Sequence, residues 1–226
     1  MANSITRLIP GSLKQRVHKS IVSYLNSRRE AKSGTFKDIP LKQRHVQNAQ
    51  LLASRELLLE KLPQNAVVAE LGVDKGDFSS LILEKCNPKR LHLVDAWGSS
   101  RYGETKRALV ARKFKQQAAK GQVLISRGLS TDVVDEFDDN YFDWIYIDTD
   151  HGYQITYDEL IAYLPKMKPD GVIAGHDYII GNWNSHIRYG VMEAVSKFCN
   201  EHNFELIYVT TELSAYPSFA IRAIRN

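Results

Sequence analysis

Seven short apolar runs, most of them followed by helical periodicity, dominate the chain after Pro63. They fall at residues 66–71, 90–95, 122–126, 142–148, 171–175, 205–210 and 218–224. Strands separated by helices pair in parallel, and a parallel sheet needs helices over both of its faces. The pattern therefore predicts an open, doubly wound α/β sheet. One pair departs from it. The link "TELSAYP" before Ser218 is too short for a crossover helix, so the final strand is expected to run antiparallel to its predecessor.

A chain of 226 residues, 43% hydrophobic, can bury one full core and hardly two. Its two cysteines, Cys86 and Cys199, sit far apart and form no CxxC pair, which supports neither a disulfide framework nor a zinc knuckle and fits a reducing, cytoplasmic setting. No apolar run approaches the roughly 20 residues of a membrane span. Charge is unevenly spread. Residues 1–60 hold 11 Lys/Arg against 4 Asp/Glu, and the rest 19 against 22, so a front end of +7 precedes a body of −3. Leu13, Val17, Ile21, Tyr24 and Leu25 share one helical face, with Lys14, Arg16 and Lys19 largely off it. This basic amphipathic helix is expected to pack on the body or on a second subunit, the latter making a homo-oligomer; a membrane surface, nucleic acid or targeting role is the other reading. Residues 1–40 read as a helical extension and 41–226 as one domain, opened by a long helical pattern that Pro63 stops.

The stretch "VVAELGVDKGDFSSLIL" runs from buried strand to helix through a glycine turn. At the carboxyl end of a strand in such a sheet, this is where a nucleotide-type ligand sits. Gly72 and Gly76 permit positive φ or close backbone approach. The dinucleotide fingerprint would need glycine at 72, 74 and 77, but Asp74 and Asp77 occupy the last two. Glu70, Asp74 and Asp77 would oppose a pyrophosphate. S-adenosylmethionine, with its cationic sulfonium and ammonium, suits them. Asp95, ending the next strand in "LHLVDAW", can accept both ribose hydroxyls. Asp77 on its own is better explained as a helix cap or dipole partner.

"AELGVDKGDFS", "LHLVDAW", "FDWIYIDTDHGY" and "GVIAGHDY", taken in order, resemble the motifs of class I S-adenosylmethionine-dependent methyltransferases. The likeness extends to the small-molecule O-methyltransferase branch, which includes sugar-modifying and catechol-type enzymes. The resemblance implies a Rossmann-like, seven-stranded sheet with an antiparallel last strand. It also implies that Glu70, Gly72, Asp74 and Gly76 line the methionine part of the cofactor, Asp95 the ribose, and Ser126 or Arg127 the adenine. Asp148 would approach the reactive end.

Asp148, Asp150, His151, His176 and Asp177 crowd the ends of the fourth and fifth strands, too polar for that place unless something satisfies them. Methyl transfer to oxygen needs the acceptor hydroxyl in line and its proton removed. His151 is the first candidate base, His176 the second, with Asp148 beside them. Alternatively Asp148 and Asp177 would hold Mg2+, although the histidine of the "HD" pair departs from an all-oxygen ligand set. Trp183, Asn184, His186, Arg188 and Tyr189 follow as a candidate acceptor lid, and Arg101 and Tyr102 as weaker candidates on the opposite rim. The expected function is O-methylation of a small hydroxylated metabolite, sugars ahead of catechols. RNA or protein methylation, and donor binding without turnover, are the competing readings; nucleic acid is disfavoured as a partner.

Overall fold

The computed structural model describes residues 11–33, 39–99, 101–182, 187–212 and 216–225. Its strands are β1 (Gln50–Leu52), β2 (Val67–Leu71), β3 (Arg90–Asp95), β4 (Val123–Arg127), β5 (Phe142–Ile147), β6 (Met167–Gly175), a small hairpin of β7 (Gly181–Asn182) and β8 (Ile187–Arg188), then β9 (Phe204–Thr210) and β10 (Phe219–Ala223). The main sheet has the order β1-β9-β10-β6-β5-β2-β3-β4. Strands β2 to β6 pair in parallel, while β10 lies antiparallel between β6 and β9. All seven expected strands form, and the final one is reversed as its short link requires.

Side-chain alternation along the strands builds two cores, one per face. On β5, Phe142, Ile145 and Ile147 join one cluster with Leu160, Val195 and Phe198, which come from α7 (Tyr153–Tyr163) and α8 (Val191–His202). Trp144 and Tyr146 join the other, with Leu58 and Leu59 of α2 (Arg55–Lys61), Ile82 of α3 (Asp77–Cys86) and Val110 of α4 (Glu104–Lys113). Each large side chain so buried contributes about 1.5–3 kcal/mol.

Residues 41–63 do not form the single helix that their pattern predicts. They divide into a 3-10 turn at Gln43–His45, strand β1 and helix α2. Two local signals break the helix. Asn48 Nδ2 donates to Glu205 Oε2 at 2.7 Å, which ties the segment to β9, and Ser54 caps α2 by accepting from Leu57 N at 3.3 Å. Between them β1 pairs in parallel with the far edge of β9, adding an eighth strand to the expected seven. Tertiary pairing overrides helical propensity here.

Helix α1 (Gly11–Ser33) forms where the sequence places it. Its apolar stripe is not covered: Leu13, Val17, Ile21 and Tyr24 are all exposed, with the helix lying near β8. Among the described residues, no helix is long and apolar enough to cross a membrane.

The ends of β2 and β5 approach through Gly72. Its φ is +89°, and a Cβ there would lie 2.0 Å from the carbonyl oxygen of Asp148. We expect Gly72→Ala to destabilise the fold by more than about 2 kcal/mol, combining left-handed strain with a backbone clash. Gly121→Ala, at φ +71° with open space around it, should cost only about 1 kcal/mol. Urea unfolding of both variants measures the difference.

Candidate active site

Gly72 N donates to Val94 O at 2.8 Å and Asp148 N to Leu71 O at 2.7 Å, so β3, β2 and β5 are bound together at the mouth of the crevice. The turn that follows carries positive φ at Asp74 (51°) and Gly76 (72°) before α3 begins. Asp95 clasps this turn. Its Oδ2 accepts from Val73 N at 2.8 Å and Asp74 N at 3.0 Å, and its Oδ1 from Trp97 N at 2.8 Å. Trp97 closes the ring by donating Nε1–H to Asp74 O at 3.1 Å.

The acids of the turn are not a bare negative notch, as the sequence reading supposes. Asp74 pairs with Lys106 of α4, which also lies 4.3 Å from the Tyr102 ring centroid. Asp77 pairs with Lys113 at 2.6 Å. Glu70 is fully buried against the Ser79 hydroxyl, and burial lifts its carboxyl well above the usual range despite that hydrogen bond. Asp148, partly exposed at the end of β5, remains to face a cation; burial raises its carboxyl too, against the nearby His176.

The ends of β5 and β6 meet around Asp177, whose φ is +58° and whose side chain is 4% exposed. Its Oδ2 lies 2.9 Å from His151 Nδ1 and 3.3 Å from His176 Nδ1. Burial disfavours the charged Asp177, yet the two imidazoles outweigh it and hold the carboxyl well below its ordinary value. For His151, burial likewise opposes the imidazolium. The Asp177 hydrogen bond and the charges of Asp177, Asp148 and Asp150 prevail, and its value is raised above 6.5. Tyr189 packs on the His151 ring at 4.5 Å between centroids. His176 Nε2 and Asp177 Oδ1 are buried without a hydrogen-bond partner among the described residues. A small cavity lined by Asp148, Thr149, His151, His176, Val191 and Phe219 opens beside them.

Residues 69–178, from the glycine turn through the Asp177 pair, match a family model described as a methyltransferase domain. That match spans just under half of the chain, and it supports a methyltransferase domain built on this sheet. Cofactor-bound Rv0187 from MTB has a similar crystal structure, with TM-score 0.57 at 14% identity over 96% of this chain and 98% of that one. An O-methyltransferase from Bacillus cereus in complex with SAH gives TM-score 0.55 at 16% identity over 89% of each chain. The tRNA methyltransferase TrmK of B. subtilis gives 0.54 at 15% identity, over 76% of this chain and 67% of that. At these identities the likeness is one of fold. No curated protein matches the sequence significantly.

The residues singled out by sequence take unequal places in this site. Gly72, Gly76, Asp74 and Asp95 form the turn and its clasp, and Glu70 lies buried behind it. Ser126, at the end of β4, turns its hydroxyl to Glu136 Oε2 at 3.3 Å, while Arg127 spans to Ala96 O and Glu104. Asp150 accepts from Gly152 N at 2.6 Å ahead of α7 and so shapes a turn. Arg188 is held by Glu193 and by the carbonyls of Ile180 and Tyr189, a structural post at the base of the hairpin. Trp183, Asn184 and His186 lie outside the described residues. Sequence reading missed Lys106, Lys113 and the role of Glu159, which accepts from Ser130 and, at 2.8 Å, from Thr149. Nothing in the α7 sequence signals these partners, since Thr149 lies ahead of the helix and Ser130 opens the separate short helix Ser130–Val133.

One atom each from Asp148, His151 and Asp177 lies within 4.8 Å of the others. The set fits magnesium poorly. One donor of three is imidazole, and the Asp177 oxygen nearest the cluster already receives two ring nitrogens.

The three N–H bonds to Asp95 give a test. Asp95→Ala should strand the turn's donors, weakening S-adenosylhomocysteine binding at least about tenfold and the fold by about 2 kcal/mol, with Asp95→Asn milder on both counts. Calorimetry and urea unfolding read the two effects.

Proposed function

We propose that this methyltransferase methylates an oxygen of a small hydroxylated acceptor, with sugars ahead of catechols, and that His151 is the general base. The observation that carries the reading is the His151–Asp177 pair at 2.9 Å, set at the carboxyl ends of β5 and β6 beside Asp148. A carboxylate that accepts from Nδ1–H fixes one tautomer and leaves Nε2 as the basic atom. The His151 side chain is 36% exposed, enough to meet an acceptor, whereas that of His176 is 11% exposed and serves better to hold Asp177. Tyr189 restrains the imidazole from its other side.

When bound, the cofactor supplies a methyl group on a sulfonium. His151 would take the acceptor's hydroxyl proton as the C–O bond forms and the C–S bond breaks to leave the neutral thioether, and Asp177 would stabilise the resulting imidazolium. Asp148 places negative charge at the same end of the crevice. The likeness in fold to an O-methyltransferase agrees with this chemistry, though it also extends to a tRNA methyltransferase. RNA methylation is the runner-up, favoured by exposed Lys14, Arg16 and Lys19 on α1. Transfer of a labelled methyl group to panels of sugars, catechols and RNA decides between them; label in RNA alone would overturn the small-acceptor reading.

His151→Ala should lower kcat by about 10²–10⁴-fold while leaving S-adenosylhomocysteine affinity near normal. Because the base works only when deprotonated, kcat/KM should rise with pH through a midpoint above 6.5. Asp177→Asn removes the charge that raises it, so the midpoint should move down. A pH–rate series on both proteins checks the sign.

A divalent ion at Asp148 and Asp177 is the second mechanism, favoured by the proximity of their oxygens and His151. Base catalysis without metal predicts full activity after exhaustive chelation. Loss of activity restored by a divalent ion would favour the metal.

A further inference from the structure

Arg55 is the first residue of α2, and the break after β1 carries it to the carboxyl edge of the sheet. Its guanidinium carbon lies 4.7 Å from the centroid of the Phe78 ring. Phe78 is the second residue of α3, immediately past the glycine turn, and its ring lies 4.3 Å from that of Tyr146 on β5. The backbone N–H of Arg55 is held by Glu212, beyond the end of β9. Phe78 thus flanks the guanidinium, Tyr146 hydrogen-bonds to it, and Glu212 anchors the backbone that carries it.

No carboxylate among the described residues comes within ion-pair distance of that guanidinium. Glu70 and Asp148 feel its charge only through space. A guanidinium presents five N–H donors in a planar fork, so one hydrogen bond to the Tyr146 hydroxyl and stacking on Phe78 still leave donors for a planar anion. Arginine set in this way matches a carboxylate.

We propose that Arg55 receives the carboxylate on the amino-acid tail of the methyl donor. The proposal rests on the donor lying in this crevice. The tail is a zwitterion, with an ammonium and a carboxylate on one carbon. Asp148 offers the negative partner at the end of β5, and Arg55 offers the positive one on the same side of the glycine turn. The consequence is specificity: the enzyme distinguishes a donor that carries the carboxylate from one that has lost it by decarboxylation.

Isothermal titration of S-adenosylhomocysteine and of its decarboxylated counterpart, which lacks that one group, tests this directly. Wild type should prefer the former. Arg55→Gln should lose about tenfold to a hundredfold in affinity for S-adenosylhomocysteine, with affinity for the decarboxylated ligand unchanged, so that the preference disappears. Arg55→Lys, which keeps charge without the fork, should fall between. Equal thermal midpoints without ligand would show that the variants fold alike. Unchanged binding of both ligands by Arg55→Gln overturns the proposal, as does equal weakening of both, which would mean that Arg55 only shapes the wall. If wild type binds neither ligand, the donor itself is not held in this crevice and the proposal falls with it.

Discussion

Three backbone N–H groups converge on the carboxylate of Asp95, and the shape of the glycine turn depends on that convergence. A turn containing two left-handed residues, Asp74 and Gly76, has little intrinsic reason to hold one shape. An acceptor-only group at the end of the neighbouring strand gives it one. The clasp works only because β2 and β3 pair in register, Leu71 beside Val94, which brings Asp95 level with the residues just past Gly72. Sheet register, turn geometry and carboxylate clasp are therefore one structural fact seen at three scales.

The chemical end is assembled on the same principle, with side chains in place of backbone. Asp177 leaves β6 in a left-handed conformation, which brings its carboxylate between two imidazoles. Burial makes that charge expensive, and the imidazoles make it tolerable. His176 and Asp177 still retain one buried polar atom each without a partner, an imbalance that a structure bears where a ligand or water belongs.

Strand content was legible because buried parallel strands must be apolar from end to end; "FDWIYI" and "GVIAG" admit few other readings. The reversed last strand was legible from link length alone. Residues 41–63 misled because their apolar spacing suits a helix, and the partner that makes β1 a strand lies about 150 residues away in β9. The site divides similarly. Acids and imidazoles at strand ends stand out in sequence, since their chemistry contradicts their burial. Their partners do not. Lys106 and Lys113 look like ordinary solvated helix residues until α4 is laid beside the turn, where they neutralise Asp74 and Asp77 and change the electrostatic argument. Arg55 was concealed within the misread helix.

The reversal of β10 has an evolutionary corollary. Every parallel strand delivers its final residues to the crevice, but β10 delivers its first, Ser218 and Phe219, joined to β9 by a short connection that includes Tyr216. Ser218 touches Tyr146 at 2.7 Å, and Tyr216 stands edge-on to Tyr189. Changes in that connection can remodel the wall beside the histidines while the glycine turn after β2, three strands away across the sheet, stays as it is. One flank of such a scaffold is free to drift in shape as the other stays fixed, which suits the division between acceptor and donor proposed above.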